Sequence, residues 1–136
     1  MKTKCEFNVA KWDEMNCGEP VNGMVTARAS IEFVSSGAIN GKFNVEYLLH
    51  YTNYDKSNQH NSEATYLGYM AFSGSMDGKH GSFVFEDKGT YTPSGPASEL
   101  SIKLNTGTDD FEGISGTGKY YAENNVMVIE IDYSIR

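Results

Sequence analysis

The sequence predicts an all-β domain of eight antiparallel strands, joined into a closed or nearly closed barrel. Three observations carry that expectation. Apolar residues recur at every second position through most of the chain, as they do when one face of a strand is buried. Gly and Asn interrupt these runs, with 14 Gly against 3 Pro, and 9 Tyr and 7 Phe supply the aromatic content that suits strands. No window of eleven or more residues keeps the 3.6-residue apolar period of an amphipathic helix.

The first strand falls at residues 3 to 10, where Cys5, Phe7 and Val9 alternate with Glu6, Asn8 and Ala10. A polar turn follows from Asp13 to Pro20. The second strand sets Val25, Ala27, Ala29, Ile31 and Phe33 against Thr26, Arg28, Ser30 and Glu32. Ser35-Ser36-Gly37 and Asn40-Gly41 tolerate positive φ and reverse the chain. Phe43, Val45, Tyr47, Leu49 and Tyr51 then mark the inner face of a third strand. After the polar stretch Asn53 to Glu63, a fourth strand over Ala64 to Ser73 groups Tyr66, Gly68, Met70 and Phe72.

Asp77-Gly78 is a strong two-residue hairpin signal, and Phe83 and Phe85 continue into a fifth strand. The segment Gly89 to Ser98, rich in Gly, Pro and Ser, reads as a loop. Leu100, Ile102 and Leu104 form a sixth strand, and Gly113, Gly116 and Gly118 punctuate a seventh. Asn124-Asn125 turns the chain into the last strand, with Met127, Ile129, Ile131, Tyr133 and Ile135 on its inner face. A sandwich would also accommodate these elements, but closure removes the exposed edges that invite aggregation and so favours the barrel.

A length of 136 residues fits one domain, 1–136, with one core. The net charge of −7 and a pI near 4.8 oppose a nucleic-acid partner, whose phosphates are bound by Lys and Arg. Apolar stretches such as Val126 to Ile129 fall far short of the roughly 20 residues that span a bilayer, so no membrane partner is expected. Met1 to Asn8 carries basic residues with no apolar run behind them, which does not read as a secretory signal, and a cytoplasmic location is expected. Cys5 and Cys17 are accordingly read as free thiols.

Several segments resemble one family. They are Glu46-Tyr47-Leu48, Tyr66-Leu67-Gly68, Phe72 to Gly78, Gly81 to Phe85, Asn105 to Asp109 and Phe111 to Gly118. Together they resemble the domain of unknown function 3224 family from the first strand through Asp132-Tyr133, chiefly in glycine spacing. The resemblance implies a barrel similar to allene oxide cyclase, a fold that includes cyclases of apolar substrates and noncatalytic members. It transfers no reaction, since fold alone does not determine function. Members of the family commonly carry Glu where this chain has Met70, which implies a more apolar lumen.

Read from the residues alone, the glycines serve turns, bulges and close backbone approach. Gly113 to Gly118 lacks the Lys of a phosphate loop and its strand-to-helix setting, so nucleotide binding has no support. Glu46 and His50 share a strand face with Leu48 between them, and would address a ligand as base and polar anchor if that face is inward. Facing solvent, they are ordinary polar positions. Tyr47, Tyr51, Tyr66, Phe72, Phe83, Phe85, Tyr120 and Tyr133 suit either a packed core or an apolar pocket with orienting hydroxyls. Glu46, Tyr47, His50, Tyr51, Tyr66, Phe83 and Tyr133 are thus the lumen candidates for ligand binding.

Arg28 and Glu32 read as surface charges that pair with neighbouring strands. His50, His60 and His80 lack ligand spacing, and Asp109, Asp110 and Glu112 lack the pattern of a calcium loop, so no metal or other cofactor is predicted. No Gly-x-Ser-x-Gly elbow marks a hydrolase. Two functions remain from different classes. One is a barrel holding a small, largely apolar molecule, with a cyclase or isomerase action that works by shaping its substrate. The other is a noncatalytic structural or interaction protein with a filled barrel, forming a homodimer through outward residues such as Leu48, Leu67 and Val84.

Overall fold

The computed structural model describes residues 1–58 and 61–136, so His60 lies outside the described residues. Eight strands occur in chain order: β1 (Lys2–Asn16), β2 (Val25–Ser35), β3 (Ile39–Asn53), β4 (Glu63–Met76), β5 (Lys79–Thr92), β6 (Gly95–Ile102), β7 (Ile114–Glu123) and β8 (Val126–Ile135). Each pairs antiparallel with the next, and β8 returns to β1, so the sheet closes on itself as expected. The connection between β6 and β7 carries a 3-10 turn, Asp109–Phe111. No described helix is long and apolar enough to cross a membrane.

Period-two patterning sets the inside. Val25, Ala27, Ala29, Ile31 and Phe33 of β2 face Tyr51, Leu49, Tyr47, Val45 and Phe43 of β3 in register, and all are buried. Asp77 and Gly78 both take positive φ (52° and 81°), as do Asn124 and Asn125 (53° and 63°), the backbone of a type I′ turn at each predicted hairpin.

The boundaries differ from the sequence reading in several places, among them Asn40-Gly41, expected to reverse the chain but lying within β3 and paired with β2 and β4. β1 runs on to Asn16, into the first half of the segment expected to turn, and its register shifts between Val9 and Lys11. That bulge exchanges the two faces. Phe7 is inward before it, whereas Trp12 and Glu14 stand in register with the inward Ile31 and Ala29 after it. The Gly89 to Ser98 segment is almost entirely strand, leaving two residues between β5 and β6. Finally, β6 ends at Ile102, so Leu104 lies beyond the strand and is 67% exposed.

One end of the barrel is plugged. The connection after β6 folds back on β5: Thr108 N–H donates to the Ser82 carbonyl (2.9 Å), and the Asp110 carboxylate accepts from His80 N–H (2.9 Å). This anchoring drives the fully buried Phe111 against Phe83, with ring centroids 5.0 Å apart. Phe83, Phe72 and Phe43 continue the stack at 5.4 and 4.8 Å. Ile39, Met76 and Ile114, all at most 2% exposed, complete the plug. Burying each such ring stabilises the fold by about 1.5–3 kcal/mol.

Candidate functional site

At mid-height five inward side chains, one from each of β3 to β7, meet as a polar cluster: Tyr47, Tyr66, Asp87, Ser98 and Tyr120. Asp87 follows Phe83 and Phe85 along the inward face of β5 and is only 2% exposed. The Tyr47 hydroxyl donates to Asp87 Oδ2 at 2.5 Å and is also bonded to the Tyr120 hydroxyl. With the Tyr47 proton committed to the carboxylate, Tyr120 is the donor in the second bond. The Tyr66 and Ser98 hydroxyls share a bond of 2.5 Å. Asp87 Oδ1 is buried with no hydrogen-bond partner among the described residues.

Burial pushes the Asp87 carboxyl up to about 6, against the opposing pull of the Tyr47 and Ser98 hydroxyls. Burial likewise raises Tyr66 to about 12. Tyr47 and Tyr120 are raised well above an ordinary phenol, first by burial and then by neighbouring negative charge, so both keep their protons.

Above this cluster lies a cavity of about 470 Å³ that opens at the barrel end opposite the plug. Tyr47, Tyr66 and Tyr120 form its floor, Ile31, Phe33, Leu49 and Ala64 its walls, and Val9, Trp12, Glu14, Tyr51, Tyr91, Pro96 and Met127 its rim. Glu14 is held at the rim by two donors, Tyr51 hydroxyl at 2.5 Å and Trp12 Nε1 at 3.2 Å. Burial, followed by the bond to Glu14, raises the Tyr51 phenol. The chamber is the size of a small-molecule site, mostly carbon-lined, with its polar groups concentrated at floor and rim.

Of the seven lumen candidates, Tyr47, Tyr51 and Tyr66 line this cavity. Phe83 is buried in the plug, and Tyr133, also inside, donates its hydroxyl to Asp77 Oδ2 (2.7 Å). Glu46 and His50 do not face the lumen: the inward positions of β3 are odd-numbered, so both project outward and are exposed. Glu46 there accepts a hydrogen bond from the Ser30 hydroxyl, and His50 borders a wide, open groove with Leu48, Leu67 and Lys88.

Asp87, Ser98, Trp12 and Glu14 are absent from the sequence candidates. Continuing the alternation of Phe83 and Phe85 by one step reaches Asp87, but the charged triplet Glu86-Asp87-Lys88 reads as the approach to a loop. Trp12 and Glu14 depend on a bulge that the alternation does not reveal. Cys5 and Cys17 are both free, with the Cys5 thiol donating to the Ser36 carbonyl at 3.2 Å. Among the described residues no group of three or more His, Cys, Asp or Glu is placed to hold a metal ion.

Comparison with known proteins gives a family and no activity. A solved structure described as a protein with unknown function from the DUF3224 family of Shewanella oneidensis MR-1 is similar in fold, with a TM-score of 0.80 and 22% identity over 100% of this chain and 98% of that chain. No curated protein matches the chain. The family model described as Protein of unknown function (DUF3224) matches residues 3–133, the whole barrel from β1 into β8, and the chain therefore belongs to the DUF3224 family.

Proposed function

We propose that the barrel binds a small, largely apolar molecule in its lumen. The observation that carries this reading is the cavity of about 470 Å³, open at one end and bordered by aromatic and aliphatic side chains, with hydroxyl groups at its base. A filled barrel would leave no such space. The likeness to the allene oxide cyclase barrel belongs to the same reading, in which any reaction proceeds through a conformation imposed on the substrate. Two unpaired thiols support a reducing compartment such as the cytoplasm.

Native mass spectrometry of protein purified from its own host tests the reading. The expected result is an adduct of small-molecule mass that is lost on denaturation. Ala64→Phe, which extends a ring from the wall into the cavity, is expected to lower occupancy at least tenfold while the far-ultraviolet circular dichroism is retained. Equal occupancy in wild type and Ala64→Phe would place any adduct outside the lumen and end the proposal.

A second reading concerns the outer surface. Leu48 and Leu67 are cross-strand partners exposed at 48% and 61%, and Tyr69 beside them is 57% exposed. A contiguous apolar patch of this kind supports a homodimer. Light scattering on wild type and Leu67→Asp checks it: the expected dimer becomes a monomer in the variant, and a monomeric wild type removes the reading.

A further inference from the structure

The charged groups at the described lining of the chamber have one sign. Among the described residues, none that lines it is Lys, Arg or His, whereas Glu14 stands at its rim and Asp87 lies beneath its floor. The protein as a whole carries a net charge of −7. A carboxylate-bearing guest would therefore meet repulsion at entry and again at the floor, with no counter-ion between.

The aromatic lining adds an attraction of matching sign. Tyr47, Tyr66 and Tyr120 direct their hydroxyls to one another, to Asp87 and to Ser98, so what they leave to the chamber is ring. Trp12 and Tyr51 likewise turn their polar atoms to Glu14. Ring faces carry negative quadrupole potential and attract a cation that has shed water, as in cages for substituted ammonium groups. The unpartnered, buried Oδ1 of Asp87 reinforces that potential from below.

We propose that the guest of this chamber is an organic cation, an aryl- or alkylammonium whose charge is stabilised by the ring of aromatic side chains between Glu14 and Asp87. The inference rests on the reading of the lumen as a binding chamber and adds the charge of the ligand. It predicts an order of affinity opposite to hydrophobicity, because a neutral isostere is expelled from water more strongly than the cation.

Benzyltrimethylammonium and neopentylbenzene have the same shape and differ in charge, and 3-phenylpropanoate supplies an anion of similar size. Titration of each into the intact protein, followed by the emission of Trp12 (the chain's one tryptophan) and by calorimetry, measures the preference. The cation is expected to bind at least tenfold tighter than neopentylbenzene, with the anion weakest. Asp87→Asn and Glu14→Gln are each expected to weaken the cation threefold or more and to leave neopentylbenzene unchanged, a control that reports an intact chamber. Equal or tighter binding of neopentylbenzene or 3-phenylpropanoate overturns the charge inference and leaves the binding chamber standing. A cation preference that survives both substitutions also overturns it, since the charge is then held elsewhere. Binding of none of the three overturns the chamber itself.

Discussion

At neutral pH the Asp87 carboxyl, with its midpoint pushed up to about 6 by burial, is mostly ionised inside the barrel. In an unfolded chain the same group titrates near 3.9. Between about pH 4 and pH 6 the folded protein keeps a proton that the unfolded chain has released, so rising pH through this window favours unfolding, by about 3 kcal/mol once both states are ionised. Asp87→Asn removes that dependence. Its urea stability relative to wild type is expected to be about 3 kcal/mol more favourable at pH 7.5 than at pH 4, and an unchanged difference at the two pH values would refute the assigned midpoint. Gly89 protects the same cluster: a Cβ there would lie 2.3 Å from the Ala97 carbonyl and 2.7 Å from the Tyr66 hydroxyl. Gly89→Ala is expected to lower stability by about 1–3 kcal/mol through backbone displacement, measured by thermal melting. The inward position of Tyr47 and Tyr66 was legible from alternation, but their partnership was not, because hydrogen bonds between β3, β5 and β7 join residues 40 and 73 positions apart in sequence.

Among the elements, the connection that carries Phe111 decides the state of one end of the barrel. Phe111 is fully buried against Phe72 and Phe83 (centroids 6.3 and 5.0 Å), so Phe111→Ala is expected to destabilise by about 3–5 kcal/mol. Leu104, in the same connection but 67% exposed, serves as its control: Leu104→Ser is expected to stay within about 0.5 kcal/mol. Chemical denaturation of the pair checks both, and a comparable loss in each would mean that the connection packs differently. β2 and β3 were legible from Val25 to Phe33 and from Phe43 to Tyr51, where they alternate without interruption, but Asn40-Gly41 resembled a turn and is the start of β3. β1 was legible only as far as Val9, since one extra residue there sends every later side chain to the opposite face. The polar run from Asp13 resembled a turn because its strand residues Asp13 and Met15 face solvent, Glu14 stands at the mouth of the cavity, and the strand ends at Asn16.

For the whole molecule, closure depends on the seam in which Lys2 to Phe7 of β1 pair with Met127 to Asp132 of β8. These partners lie at opposite ends of the chain, a topology that folds slowly and leaves unpaired edges until the last step. Deletion of residues 2–7 is expected to make the protein scatter light on concentration where the full chain does not, and a variant that stays in solution with native circular dichroism would show that closure is dispensable. The number of strands and their antiparallel order could be read from turns and alternation. Whether the interior is full could not, because it depends on the summed volumes of side chains from all eight strands. That interior is stopped by Phe111 and its neighbours at one end and open beside Trp12 and Tyr51 at the other. Among the described residues such a vessel has one doorway, so an occupant would have to depart before its successor could arrive. On the proposed reading, traffic would go by turns: competing guests would exclude one another, none would pass through from end to end, and a bound molecule slow to leave would block the next.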